Sequence, residues 1–158
     1  MKEYIKMLLR ESLTDDELLK EIFRQLKETD GKKLDLISKG ITSLPESIGN
    51  HTKLLSLSLA DNKLKGLPES IGALTDLRKL FLGRNKLQSL PESIGYLTEL
   101  KSLNLEHNKL ESLPDSIANL TNLEELVLTG NPISDEEMKR IKYELLPNTK
   151  FRFIKKDY

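Results

Sequence analysis

The sequence predicts an α/β solenoid: a stack of short turns with a parallel sheet along one side, an N-terminal helical cap and a C-terminal helix–strand cap. Three observations carry this. The hexapeptide LPESIG stands at 44–49, 67–72 and 90–95, and LPDSIA follows at 113–118, each 23 residues after the last. Within each period leucines fall at alternate positions, as in Leu57-Ser58-Leu59, which is the two-residue period of a strand. On both sides of the periodic block, apolar residues recur at helical spacing behind a capping residue.

Aligned from Leu54, Leu77, Leu100 and Leu123, every row reads L-x-x-L-x-L-x-x-N, with Asn62, Asn85, Asn108 and Asn131 in last place. The first three rows continue x-L-x-x-L-P-x-x-I-x-x-L. An incomplete leading row begins at Gly31. It keeps Leu34 and Leu36 in register but has Lys39 at the Asn place and His51 where later rows have Leu74, Leu97 and Leu120. A fixed period of this length is the mark of repeat architectures. The rows, about residues 31–131, resemble the leucine-rich repeat of the 23-residue LPxxIxxL type. The resemblance implies a right-handed, curved solenoid whose parallel sheet lines the concave side.

Each letter has a physical role. Strands of successive turns pair about 4.8 Å apart, so each leucine stacks on the leucine of the next turn. Burial of one such side chain contributes roughly 1.5–3 kcal/mol. The Asn turns inward where the chain leaves the strand, and its amide serves backbone groups that would otherwise be buried without partners. Lys39 replaces it in the edge turn. In the return path, Pro68, Pro91 and Pro114 stop the ladder and open a short helical or 3₁₀ segment. Ile71, Ile94 and Ile117 point back inward, and Gly49, Gly72 and Gly95 let the segment end tightly. LPESIG is thereby predicted to seal the convex side.

An open stack needs caps. Thr14-Asp15-Asp16-Glu17 reads as a capping box, followed by a stripe of Leu18, Leu19, Ile22, Phe23 and Leu26, with Asp30-Gly31 as the stop. Residues 2–12, with Ile5, Leu8 and Leu9, read as a shorter amphipathic helix. At the other end Ser134-Asp135-Glu136-Glu137 is a second capping box, opening a helix to about Leu145 with Met138 and Ile141 inward. Leu146 and Phe151 stand 23 residues after Leu123 and Leu128, so 148–154 is predicted to be a last strand in register. The expected organisation is an N-terminal cap at 1–30, about five repeat turns at 31–131, and a C-terminal cap at 132–158.

Composition bounds the function. Thirty-three Leu and 11 Ile against four Phe, four Tyr and no Trp describe a core stacked from aliphatic side chains. Lys and Arg total 25 and Asp and Glu total 25, so the basic surplus of a nucleic-acid or membrane-surface binder is missing. The absence of Cys removes disulfides, thiolate zinc sites and thiol catalysis. No apolar run approaches the roughly 18–20 residues that span a bilayer, and Glu3 and Arg10 interrupt the N-terminal apolar stretch. The expectation is a cytoplasmic, monomeric protein without cofactor or metal.

No residue set reads as an enzyme. Asp15-Asp16-Glu17 is explained by the helix dipole without a metal. His51 and His107 lie two repeats apart on different faces, and no Ser has a His and an acid placed to activate it. The informative positions are those the repeat leaves free. The central strand position reads Asp35, Ser58, Phe81, Asn104, Val127, Lys150, and the position after the first leucine reads Lys32, Leu55, Arg78, Lys101, Glu124. The pairs before Asn read Ala60-Asp61, Gly83-Arg84, Glu106-His107 and Thr129-Gly130. An outward Phe81 among Arg78, Lys79, Arg84 and Lys101 has the composition of a binding hot spot. The candidate partner-binding residues are Leu55, Arg78, Lys79, Phe81, Arg84, Lys101, Asn104, Glu106, His107 and Val127. Charge on this face is expected to run from basic in the early turns to acidic at Glu106, Glu124 and Glu125.

The chain is similar to bacterial and Ras-suppressor-like intracellular leucine-rich repeat proteins. That similarity implies a non-catalytic module binding a protein partner through its concave face. The sites that assist GTPase activation, and the separate Cys-bearing domain of bacterial leucine-rich repeat ubiquitin ligases, have no counterpart in the sequence. An alternative function is an exported effector or adhesin acting on a host protein.

Overall fold

Alternating leucines with polar neighbours make very short strands, because only the central leucine of each must reach the core. In the computed structural model, which describes residues 14–152, six strands of three residues form one parallel sheet in chain order. They are β1 Lys33–Asp35, β2 Ser56–Ser58, β3 Lys79–Phe81, β4 Ser102–Asn104, β5 Glu125–Val127 and β6 Lys150–Arg152. Leu34, Leu57, Leu80, Leu103 and Leu126 stand in register at the strand centres, and all are buried. Their neighbours in each strand face the opposite way, which gives the sheet its outward columns.

The Asn ladder forms as predicted. Asn62 Oδ1 accepts from the N–H groups of Lys39 (3.1 Å) and Ile41 (3.0 Å), and its amide donates to Leu36 O (2.8 Å) and Leu59 O (2.9 Å). Asn85, Asn108 and Asn131 repeat the two carbonyl contacts one turn further on each time, with one N–H, of Leu64, Leu87 and Leu110, on each oxygen. Each Asn thereby ties its own turn to the preceding one. One residue before each Asn place the backbone is left-handed, at Ser38 (φ 56°), Asp61 (55°), Arg84 (56°), His107 (50°) and Gly130 (77°). Only Gly130 is glycine, so a steric cost recurs at the other four turns.

The return path runs through 3₁₀ helices at Glu46–Asn50, Glu69–Ala73, Glu92–Tyr96 and Asp115–Asn119. Each is preceded by its proline in an extended conformation, so proline sits just outside the helix rather than in its first turn. Ile48, Ile71, Ile94 and Ile117 are buried from these helices. The glycines act differently from expectation. A Cβ at Gly49, Gly72 or Gly95 would stand 2.7, 2.6 or 2.6 Å from a Ser carbonyl oxygen of the next turn. They permit close stacking of adjacent turns; they do not supply a left-handed stop.

Helix α1, Asp15–Glu28, starts with the predicted capping box at Thr14 and Glu17. Leu18, Ile22 and Leu26 face the stack and are buried. Phe23 does not join them: it lies about 100° around the helix from Ile22 and is 65% exposed, its ring edge-on to His51 at 6.5 Å. Helix α1 also covers the otherwise free edge of β1. Gln25 Nε2 donates to Asp35 O and Gln25 Oε1 accepts from Asp35 N–H, both at 2.6 Å. Thr29 Oγ1 donates to Lys33 O (2.8 Å) and accepts from Lys33 N–H (3.2 Å). Two side chains thus take the place of a neighbouring strand. The helix expected over residues 2–12 lies outside the described residues.

At the C-terminal end the return path is a helix, α2 Asp135–Lys139, continuing as a π-helix over Arg140–Leu145. Met138 packs against the core and Ile141 is fully buried. Ser134 caps α2 by accepting from Glu137 N–H, but Glu137 does not complete a box. Its carboxylate instead accepts from Leu113 N–H (3.2 Å) and from Arg140, and Arg140 donates to Leu113 O (2.8 Å). This longer return shifts the last strand. Leu126 pairs with Phe151 and Val127 with Arg152, a step of 25 residues rather than 23. Arg152, not Lys150, therefore continues the Phe81 column, and Phe151 pairs with Leu126 rather than following Leu128. Residues of the expected strand beyond Arg152 lie outside the described residues.

Candidate functional site

Two outward columns cross the sheet. One runs Lys33, Ser56, Lys79, Ser102, Glu125, Lys150, and the other Asp35, Ser58, Phe81, Asn104, Val127, Arg152. Phe81 is partly buried between Ser58 and Asn104, in the third of the six strands. Its strand neighbours on either side are small or polar.

Beside Phe81 a groove of about 440 Å³ opens over the first turns of the sheet. Phe81, Ile37, Ala60 and Gly83 supply its apolar lining, and Asp35, Asp61, Arg84, Asn104 and Glu106 its polar lining. A Cβ at Gly83 would stand 2.9 Å from Glu106 Cγ, 3.3 Å from Glu106 Oε1 and 3.2 Å from Asn104 Oδ1. Glu106 therefore lies across the bare glycine, and two acceptor oxygens converge above it. Asn104 Oδ1 also accepts from Glu106 N–H at 2.9 Å, and Asp35 Oδ1 from Ile37 N–H at 3.1 Å, so both side chains are oriented by the backbone two residues on. The carboxylates of Asp61 and Glu106 make no ion pair or hydrogen bond among the described residues.

Of the ten sequence-derived candidates, Phe81, Arg84, Asn104 and Glu106 meet in this groove. The others lie elsewhere on the face. Leu55, Arg78 and Lys101 stand one residue ahead of β2, β3 and β4, where their backbones continue the ladder: Arg78 N–H donates to Leu55 O and Lys101 N–H to Arg78 O, both at 2.9 Å. Lys101 Nζ is 3.1 Å from Glu124 of the next turn, so its charge is already paired, weakly given its exposure. Lys79 is in the first outward column. His107 is exposed at its left-handed position, with its ring against Gly130, and Val127 is partly buried two strands beyond Phe81. Charge is also distributed across the strands, with Asp35 and Asp61 already in the first turns and Lys150 and Arg152 in the last strand. Arg78, Lys79 and Lys101 gather at the strand starts, while Asp35, Asp61 and Glu106 gather at the strand ends.

Asp61, a free position before the Asn, and Ile37 line the groove without being among the ten candidates. Ile37 had a signal, a large apolar residue 42% exposed in a column that continues Ala60 and Gly83. Elsewhere, burial lowers the pKa of His51, which belongs to the cap contact with Phe23 and not to the groove. Among the described residues no group of three or more His, Asp or Glu side chains is placed to hold a metal ion. No helix among them is long and apolar enough to cross a membrane.

Residues 75–133 match the leucine-rich repeat family. Among solved structures, a leucine-rich repeat protein of Leptospira interrogans is 33% identical, with 77% of this chain and 37% of that chain covered and a TM-score of 0.67. The leucine-rich repeat domain of the type III effector XopL is 30% identical, covering 77% of this chain and 44% of that one, with a TM-score of 0.62. An internalin of Listeria monocytogenes is 25% identical, covering 75% and 35%, with a TM-score of 0.60. The chain spans less than half the length of each of these proteins. No curated protein matches it.

Proposed function

Since the chain belongs to the leucine-rich repeat proteins, whose repeat is a common protein–protein interaction module, we propose that it is a non-catalytic binding module that engages a protein partner through its concave face. It works as a monomer in the cytoplasm in this reading. The observation that carries it is Phe81, an aromatic side chain set outward in the sheet and lining a groove where the repeat itself requires no aromatic. Partly desolvated aromatics of this kind are the usual anchors of protein interfaces. The LPESIG segments support the opposite assignment for the convex side, because their Ile and Gly positions are used in stacking turn on turn.

Affinity capture from native lysate, with the wild-type chain beside Phe81→Ala, tests this. A partner retained by the wild type and lost with Phe81→Ala is the expected result. The control is Glu69→Lys on the convex LPESIG segment, which leaves capture unchanged. Capture abolished by Glu69→Lys and intact with Phe81→Ala would end the concave-face reading.

A second reading, an exported effector or adhesin acting on a host protein, is favoured by the likeness to a type III effector and an internalin. Fractionation discriminates the two, since export puts the chain in the medium or on the cell surface and the first reading keeps it inside.

A further inference from the structure

We propose that the groove beside Phe81 receives a basic side chain, an arginine carried by an extended segment of the protein partner. The proposal rests on the concave-face reading above and names the chemistry of its occupant. The groove combines an apolar lining with convergent acceptors. Phe81, Ile37 and Ala60 offer surface for the aliphatic stem of a long side chain, and Glu106 Oε1 and Asn104 Oδ1 meet above Gly83. Arginine matches both halves: its stem covers apolar surface while its planar head donates in a fork and stacks on an aromatic face.

Charge complementarity points the same way. Three carboxylates, Asp35, Asp61 and Glu106, stand against two cations, Lys33 and Arg84, around the groove. Asp61 and Glu106 have no internal counter-charge among the described residues. An acidic or phosphorylated occupant would face all three carboxylates. The Arg78, Lys79 and Lys101 cations stand at the other end of the strands, so a segment lying along the strand direction would meet acceptors at one end and donors at the other.

Gly83 and Glu106 make this testable. The probe is an extended Gly-Ser peptide with one central arginine, titrated into the full chain while backbone amide resonances are followed by NMR. Matched peptides carry a central glutamate or leucine. The arginine peptide is expected to shift the Phe81, Gly83 and Glu106 amides saturably, with the other two giving little response. Glu106→Gln should weaken that binding by roughly threefold or more, as loss of a charge-assisted bond at a half-exposed site requires. Gly83→Ala should weaken it too, because the new Cβ displaces Glu106. Equal response to the glutamate or leucine peptide, no saturable response to arginine, or an unaffected Glu106→Gln variant would overturn the proposal. So would shifts of the same amides on simple dilution, which would make a second copy of the chain the occupant. Capture that still depends on Phe81 while the arginine peptide fails would remove only the basic occupant. Capture indifferent to Phe81 would remove the concave-face reading itself.

Discussion

Replacing Asn85 by Ala is the sharpest probe of what holds one turn to the next. Asn85 is 8% exposed. Its Oδ1 accepts from Leu64 N–H at 3.0 Å, and its Nδ2 donates to Leu59 O at 2.9 Å and Leu82 O at 3.0 Å. The two carbonyls are not orphaned by the substitution, because Asn62 also donates to Leu59 O and Asn108 to Leu82 O, each at 2.9 Å. The Leu64 N–H loses its only side-chain acceptor in a buried setting. An unsatisfied buried donor costs about 1–3 kcal/mol, and each weakened carbonyl bond about 0.5–1 kcal/mol more. The expected loss is therefore about 2–5 kcal/mol, read from urea unfolding followed by circular dichroism. Asn131→Ala, at a half-exposed position where water can replace the amide, should cost less than half as much. Asn85→Asp adds a sign test. A buried carboxylate among carbonyls has its folded pKa raised, so that variant's deficit should grow as pH rises from 4 toward 7. A loss below about 0.5 kcal/mol for Asn85→Ala, or an equal loss at Asn131, would refute the ladder as the source of cohesion between turns.

Further outcomes follow from the packing. Leu80→Ala in the centre of the sheet should cost about 2–5 kcal/mol, as for other fully buried leucines, and a change within error would place Leu80 outside the core. Gly72→Ala should destabilise by about 1–3 kcal/mol, since its Cβ would meet Ser93 O at 2.6 Å, whereas Gly66→Ala, with open space around it, should be neutral; equal thermal shifts would contradict the stacking role. The Arg140 guanidinium holds Glu137 below the usual carboxylate range. A lowered folded pKa means stability present above the ordinary value and lost as pH falls, so the melting-temperature gap between wild type and Glu137→Gln should close on acidification; a gap constant with pH would show that the charge contributes nothing. Deleting residues 1–30 should uncover β1 and the Leu34 end of the core and drive association, which size-exclusion chromatography reports; a monomer with unchanged melting would show that α1 is not a cap.

The fold was legible wherever the period held. A strict spacing of leucine, Asn, Pro and Ile places each side chain, since every turn sees the same neighbours. It failed where the period broke: the α and π return over Asp135–Leu145 takes two more residues, and strand β6 slides accordingly. The glycines were found for the wrong reason, because their constraint is a carbonyl in the next turn and not their own φ. Gln25 and Thr29 escaped notice because side chains that imitate a strand edge leave no periodic trace. The outward columns came from the two-residue alternation, but the groove did not. It depends on Glu106 folding back over Gly83, and on Ile37 and Asp61 meeting Phe81 across turns, which no single row contains.

The central claim is that binding belongs to the concave face, and the dissociation constant of the captured partner tests it most directly. Measured against wild type, Phe81→Ala and Glu69→Lys, the account predicts a roughly thirtyfold or greater weakening for Phe81→Ala, the loss expected of a desolvated aromatic anchor, with Glu69→Lys unchanged and all three proteins equally stable. A partner bound equally well by wild type and Phe81→Ala but lost with Glu69→Lys would contradict it and move the site to the convex LPESIG surface.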